Sequence, residues 1–166
     1  MIRELARNLA ALTQLADCVI IALKFRRGKF SAGAKILKAH AAMTLVRVRS
    51  AEAELLVKLI RPRTEIRATV GCRIQSSENV WRIFTASEIL AFAEATGDEK
   101  IFYRLNPPIV PALLILETLC AQFAVNVLRL KFKKFITADE SLSLHVDGGR
   151  FEIKSAGVRK ISGEFS

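Results

Sequence analysis

The stretch ALLILETLCAQFAVNVLRL, residues 112–130, decides how the rest of the chain is read. On a helix its polar members Thr118, Gln122, Asn126 and Arg129 fall on one narrow stripe, and the remaining surface is Leu, Ile, Val, Phe, Ala and Cys. A helix apolar over most of its circumference must be wrapped by other structure. From Ala112 to Leu130 it would run roughly 28 Å at 1.5 Å per residue. Glu117 is the exception: it projects about 100° from Thr118, toward the apolar surface. A carboxylate there either pairs with a basic residue at the core edge or has its pKa raised by desolvation, becoming an acid or base near neutrality.

Working outward, FTASEILAFAEATGD (residues 84–98) begins with Thr85 and Glu88 in the spacing of a capping box. The helix this predicts continues through Phe92 and Ala95 and stops at Gly97. In the following run Pro107, Pro108 and Pro111 forbid regular helix. Pro111, at the first turn of the long helix, leaves the amides of Ala112, Leu113 and Leu114 pointing at that loop, where they can hold a carbonyl oxygen gaining negative charge. After the long helix, residues 128–136, 141–146, 150–155 and 157–166 read as strands, with Asp147-Gly148-Gly149 a hairpin signal. A buried helix followed by a strand meander implies an antiparallel sheet curled around that helix.

This α+β layout is that of the hotdog fold, and three segments carry a resemblance to families that share it. Residues 84–98 resemble the opening of MaoC-like enoyl-thioester hydratases, where a TGD or SGD precedes Asn-Pro-x-His. PIVPALLILETLCAQ, residues 108–122, is similar to the central helix of FabZ-type 3-hydroxyacyl-ACP dehydratases. KFKKFITADESL, residues 131–142, resembles the strand and turn that follow in the same enzymes. The match spans residues 80–166, and the hotdog domain is expected over 64–166. The resemblance implies that Glu117 stands at the FabZ-type catalytic glutamate and Asp98 at the MaoC-like catalytic aspartate. It places Tyr103 where both families have histidine. Tyrosine, with a reference pKa near 10, is a poor base beside histidine. Ala112 replaces a glycine at the helix start. The only histidines, His40 and His145, match no catalytic position.

Residues 1–63 are expected to be a basic, mostly helical extension. Up to Asn79 the chain holds 15 basic and 6 acidic residues; from Val80 onward it holds 11 and 10. Ile2, Leu5, Leu9, Leu12, Leu15, Val19 and Leu23 predict one amphipathic helix ending before Arg26-Arg27-Gly28. Residues 34–43 and 51–60 also read as helical, residues 44–49 as a short strand, and residues 64–75 as a half-buried strand. The basic half favours acidic surfaces. No base-stacking or groove-reading motif supports nucleic acid.

Cys18, Cys72 and Cys120 are far apart and odd in number, which fits reduced thiols in a cytoplasmic protein. No metal-ligand spacing, phosphate loop or dinucleotide fingerprint occurs, so neither metal nor cofactor is expected. No membrane span or secretion signal is read.

The expected ligand is an acyl thioester of CoA or of acyl carrier protein, lying along Ala112, Leu113, Leu116 and Phe123. One expected activity is a 3-hydroxyacyl-thioester dehydratase or hydratase: Glu117 or Asp98 handles water and the α-proton, helix-start amides polarise the carbonyl, and Tyr103 orients or donates. The alternatives are a noncatalytic acyl-thioester-binding regulator, a structural subunit beside a histidine-bearing hotdog chain, or a thioesterase. Open sheet edges predict a homodimer or higher oligomer, or such a heterodimer.

Overall fold

The computed structural model describes residues 1–62, 79–98 and 100–166. Helix α1, Ile2–Ala10, buries Ile2, Leu5, Ala6 and Leu9, the face its spacing predicts. It ends far short of Leu23. A single turn of 3-10 helix, Thr13–Leu15, leads into strand β1, Val19–Arg27. Val19, Ile20 and Ile21 are β-branched and favour extended backbone. Leu23 and Phe25 are then buried, while Lys24 and Arg26, which alternate with them, are not.

Three antiparallel strands follow: β2 (Gly33–His40), β3 (Met43–Arg49) and β4 (Ala53–Ile60). Two of them correct the helices expected over 34–43 and 51–60. Leu55, Leu56, Leu59 and Ile60 satisfy helical spacing, but the buried apolar set is Ala53, Leu55, Val57 and Leu59, the period of two that a strand between β1 and β3 requires. The expected helical extension is therefore one short helix and four strands. The proposed boundary at 63/64, the strand expected over 64–75 and Cys72 lie outside the described residues.

Helix α2, Ala86–Thr96, carries the capping box of Thr85 and Glu88 and ends on Gly97 at φ 66°. Helix α3 spans Ala112–Gln122 rather than reaching Leu130. Phe123 turns extended (φ −115°, ψ 127°), and Val127–Phe132 is strand β5. In β5, Leu128 and Leu130 are buried while Arg129 and Lys131 are exposed; pairing with β1 and β8 outweighs helical continuation. The last strands are β6 (Ser143–Asp147), β7 (Arg150–Ser155) and β8 (Val158–Phe165), near the predicted positions.

Among the described residues, eight strands form one antiparallel sheet in the order β2-β3-β4-β1-β5-β8-β7-β6. The order contains a repeat. Reading outward from the centre, the first half runs first, fourth, third, second strand, and so does the second half. A helix precedes each set, and equivalent elements lie about 110 residues apart. The halves meet where β1 and β5 pair antiparallel with Leu23 opposite Leu130, which places a pseudo-twofold axis near those side chains. Edge-to-edge pairing, expected between protomers, is thus made within one chain. Helix α1 packs on β3, α2 and α3, and the core formed there holds Phe25, Leu55, Leu59, Leu116, Leu119 and Leu128 at 1% exposure or less.

Candidate functional site

The loop between α2 and α3 builds the site. Gly97 closes α2 in the left-handed conformation, and the Asp98 amide donates back to the Ala93 carbonyl at 3.0 Å, which fixes the carboxyl of Asp98 against the next turn. The chain then makes a 3-10 turn, Ile101–Arg104, and passes through a cis Asn106–Pro107 bond. Three backbone bonds anchor it: the Ile109 amide donates to the Phe102 carbonyl, the Val110 amide to that of Ile136, and the Ala138 amide to that of Pro108.

Within this loop the Tyr103 hydroxyl donates to Asp98 Oδ2 at 2.9 Å, and Lys100 Nζ donates to Asp98 Oδ1 at 2.6 Å. The Lys100 and Asp98 side chains are only 10% and 15% exposed. Burial pushes the Tyr103 phenol well above its ordinary value, and the negative charge and hydrogen bond of Asp98 push it the same way. Tyr103 is therefore a neutral donor at physiological pH. Sequence reading missed Lys100, although its place two residues after the Thr-Gly-Asp segment was a usable signal.

Tyr103 and Lys100 line an apolar cavity of about 60 Å³ between the start of α3 and the β1–β5 junction. Ala112 and Ile115 close it from α3, Cys18, Val19 and Ile20 from the first half, and Phe132 and Lys134 from the second. The first-half contribution escaped sequence reading because these residues were assigned to a helix. Ala112 and Leu113 open α3, so their amides have no carbonyl one turn back.

Other expected site residues lie elsewhere. Glu117 is on the far side of α3, 30% exposed, held by Arg3 Nε at 3.1 Å. It lines a separate groove of about 410 Å³ with Arg3, Arg82, Glu88 and Phe92. Asp98 and Tyr103 come together; Glu117 does not join them. Leu113 and Leu116 are buried in the core, and Phe123 stacks on Phe165 with ring centroids 5.3 Å apart; of the expected binding residues, Ala112 lines this cavity and these three do not. The reason is the helix face: Ala112 and Ile115, three residues apart, point at the cavity, and Leu113 and Leu116 lie about 100° further round. Among the described residues no cluster of His, Cys, Asp and Glu can hold a metal ion, and no helix is long and apolar enough to cross a membrane.

No family model and no curated protein matches the chain. Among solved structures, HtdX from Mycobacterium tuberculosis superposes with a TM-score of 0.63 at 13% identity, over 99% of this chain and 86% of that one. A MaoC-like dehydratase from Phytophthora capsici gives 0.55 at 14%, over 91% and 69%. The chain has the hotdog fold. An acyl-ACP thioesterase from Bacteroides thetaiotaomicron shares that hotdog architecture at a TM-score of 0.52 and 9% identity, over 96% and 81%. Proteins named for different reactions thus match the same hotdog scaffold, and at these identities the likeness is one of fold.

Proposed function

We propose that the chain binds a short acyl thioester in the cavity at the start of α3 and holds it without adding or removing water. The Lys100–Asp98–Tyr103 cluster carries this reading. A general base must be unprotonated near neutrality and free to reach the α-proton or a water. Tyr103, at the histidine position of the resembled families, keeps its proton. Both oxygens of Asp98 are engaged, one by Lys100 and one by Tyr103. Glu117, the remaining candidate, is paired with Arg3 across the helix.

What the site retains is suited to binding. The amides of Ala112 and Leu113 offer donors to a thioester carbonyl. Apolar walls from Val19, Ile20, Ile115 and Phe132 surround the acyl group. At ~10–15 Å³ per water-sized group, a cavity of about 60 Å³ takes an acyl chain of about four carbons. A dehydratase and an acyl-ACP thioesterase among the structural neighbours support a scaffold suited to acyl thioesters.

The test pairs a binding titration with a hydration assay, using butyryl, decanoyl and 2-butenoyl thioesters of CoA. The expected result is saturable binding of the four-carbon ligands, decanoyl weaker by about tenfold or more because forcing extra methylenes into a packed site costs ~1–3 kcal/mol, and no loss of enoyl absorbance. Hydration that disappears in Asp98→Asn would overturn the proposal in favour of a dehydratase, and release of free CoA would establish a thioesterase.

A further inference from the structure

The face of the sheet turned away from the helices is cationic. Directly opposed residues of neighbouring strands share a face, so the pairing registers define rows across it. One row runs Lys35, Arg47, Leu56, Lys24, Arg129 across β2, β3, β4, β1 and β5. The next runs Lys38, Leu45, Lys58, Ala22, Lys131 over the same strands. At ~4.8 Å between strands each row spans about 19 Å.

Along these two rows carboxylates enter only beyond β5; in the neighbouring row of the same face Glu54 of β4 is engaged by Arg26 and Arg49. Glu164 continues the first row and contacts Arg129 and Arg150; Glu152 continues the second and is held by Arg159 and Lys154. Lys24, Lys35, Lys38, Arg47, Lys58 and Lys131 have no acidic partner among the described residues, and Lys35, Lys38, Lys58 and Lys131 are exposed. At the β5–β8 end the face dips into a shallow depression of about 330 Å³ edged by Arg129, Lys131, Arg150 and Ser162, with the engaged Glu152 and Glu164. Folding gains nothing from gathering like charges on one face, since opposed like charges are destabilising.

We propose that this face docks on an anionic lipid bilayer, with phosphate headgroups as the counter-charge. Charge complementarity calls for a polyanion, and the composition of the rows selects which. They contain no aromatic ring to stack on a base and no amide side chain to read one. Leu45 and Leu56, partly exposed between the cations, meet nothing apolar on a phosphodiester backbone. In a headgroup layer they lie against the acyl boundary beneath the phosphates. The proposal is independent of what fills the cavity.

The whole chain is floated with vesicles of phosphatidylcholine alone and with about one third phosphatidylglycerol, at low salt and at 1 M salt, where the Debye length is about 3 Å. The expected result is binding to the anionic vesicles only, released by salt. With each cation near the surface contributing about fivefold to partitioning, Lys24→Glu with Lys58→Glu lowers it by more than twentyfold at unchanged melting temperature. Lys35→Glu with Lys38→Glu, on the exposed edge strand, gives a second test that leaves the core untouched. Equal binding to neutral vesicles, no binding at low salt, or unchanged partitioning in both folded variants would overturn the proposal. So would capture of duplex DNA in preference to anionic vesicles, which would assign the face to nucleic acid.

Discussion

Tyr103→Phe removes one oxygen and leaves the ring in place, so its effect isolates the bond to Asp98. That bond is 2.9 Å long and ends on a carboxylate whose side chain is 15% exposed. Hydrogen bonds to charged groups contribute ~1.5–3 kcal/mol, and burial limits how well water replaces the lost donor, so a loss of about 2 kcal/mol is expected. For a chain of 166 residues this lowers the melting temperature by about 4–8 °C. Thermal and urea unfolding of Tyr103→Phe, Asp98→Asn and the double variant form a cycle whose coupling energy should be about 2 kcal/mol. A loss under about 0.5 kcal/mol, or simple additivity, would refute the reasoning. The phenol would then be free to act on a ligand, and a noncatalytic site would lose its main support.

Three further outcomes are expected. Gly163→Ala places a Cβ 2.2 Å from the Phe151 ring and 2.7 Å from the Arg129 carbonyl oxygen, an overlap that backbone cannot absorb; unfolding should show a loss of about 3 kcal/mol or more. Thr85→Ala removes the α2 cap and should cost ~1 kcal/mol in urea unfolding, within the range of about 0.5–2 for such caps. In acid, the folded pKa of Glu54 lies below 4.5 because hydrogen bonds and charge from Arg49 and Arg26 outweigh desolvation, and that of Glu140 because Lys160 and Thr137 do the same. A depressed folded pKa contributes stability above the ordinary value that is lost as pH falls through the folded one, so melting temperature should decline below about pH 4.5, and less steeply in Glu140→Gln.

The second half was legible because its signals are local. Thr85 and Glu88 fix a helix start, Gly97 fixes its end, and Asp147-Gly148-Gly149 fixes a hairpin, each through backbone chemistry that needs no distant partner. The first half was misread because its periodicity is ambiguous. Leu55, Leu56, Leu59 and Ile60 suit a helix and a strand alike, and only β1 and β3 on either side select the strand. The same ambiguity overran the end of α3, where Leu128 and Leu130 extend the apolar pattern into β5. At the candidate site, Asp98 and Tyr103, singled out from a sequence-adjacent motif, lie within hydrogen-bond distance of each other. The walls from Cys18, Val19 and Ile20 were not singled out, because they arrive across the β1–β5 junction from the other half of the chain.

The same junction governs how the molecule is made. Leu23 meets Leu130 across it, so closure spans about 107 residues and costs ~4 kcal/mol of chain entropy before any pairing energy returns. During synthesis β1 is complete long before β5 leaves the ribosome, and one edge of Val19–Arg27 waits unpaired through that interval. Lys24, Arg26 and Arg27 stand on that waiting edge, where their charge opposes intermolecular strand pairing until the partner strand arrives.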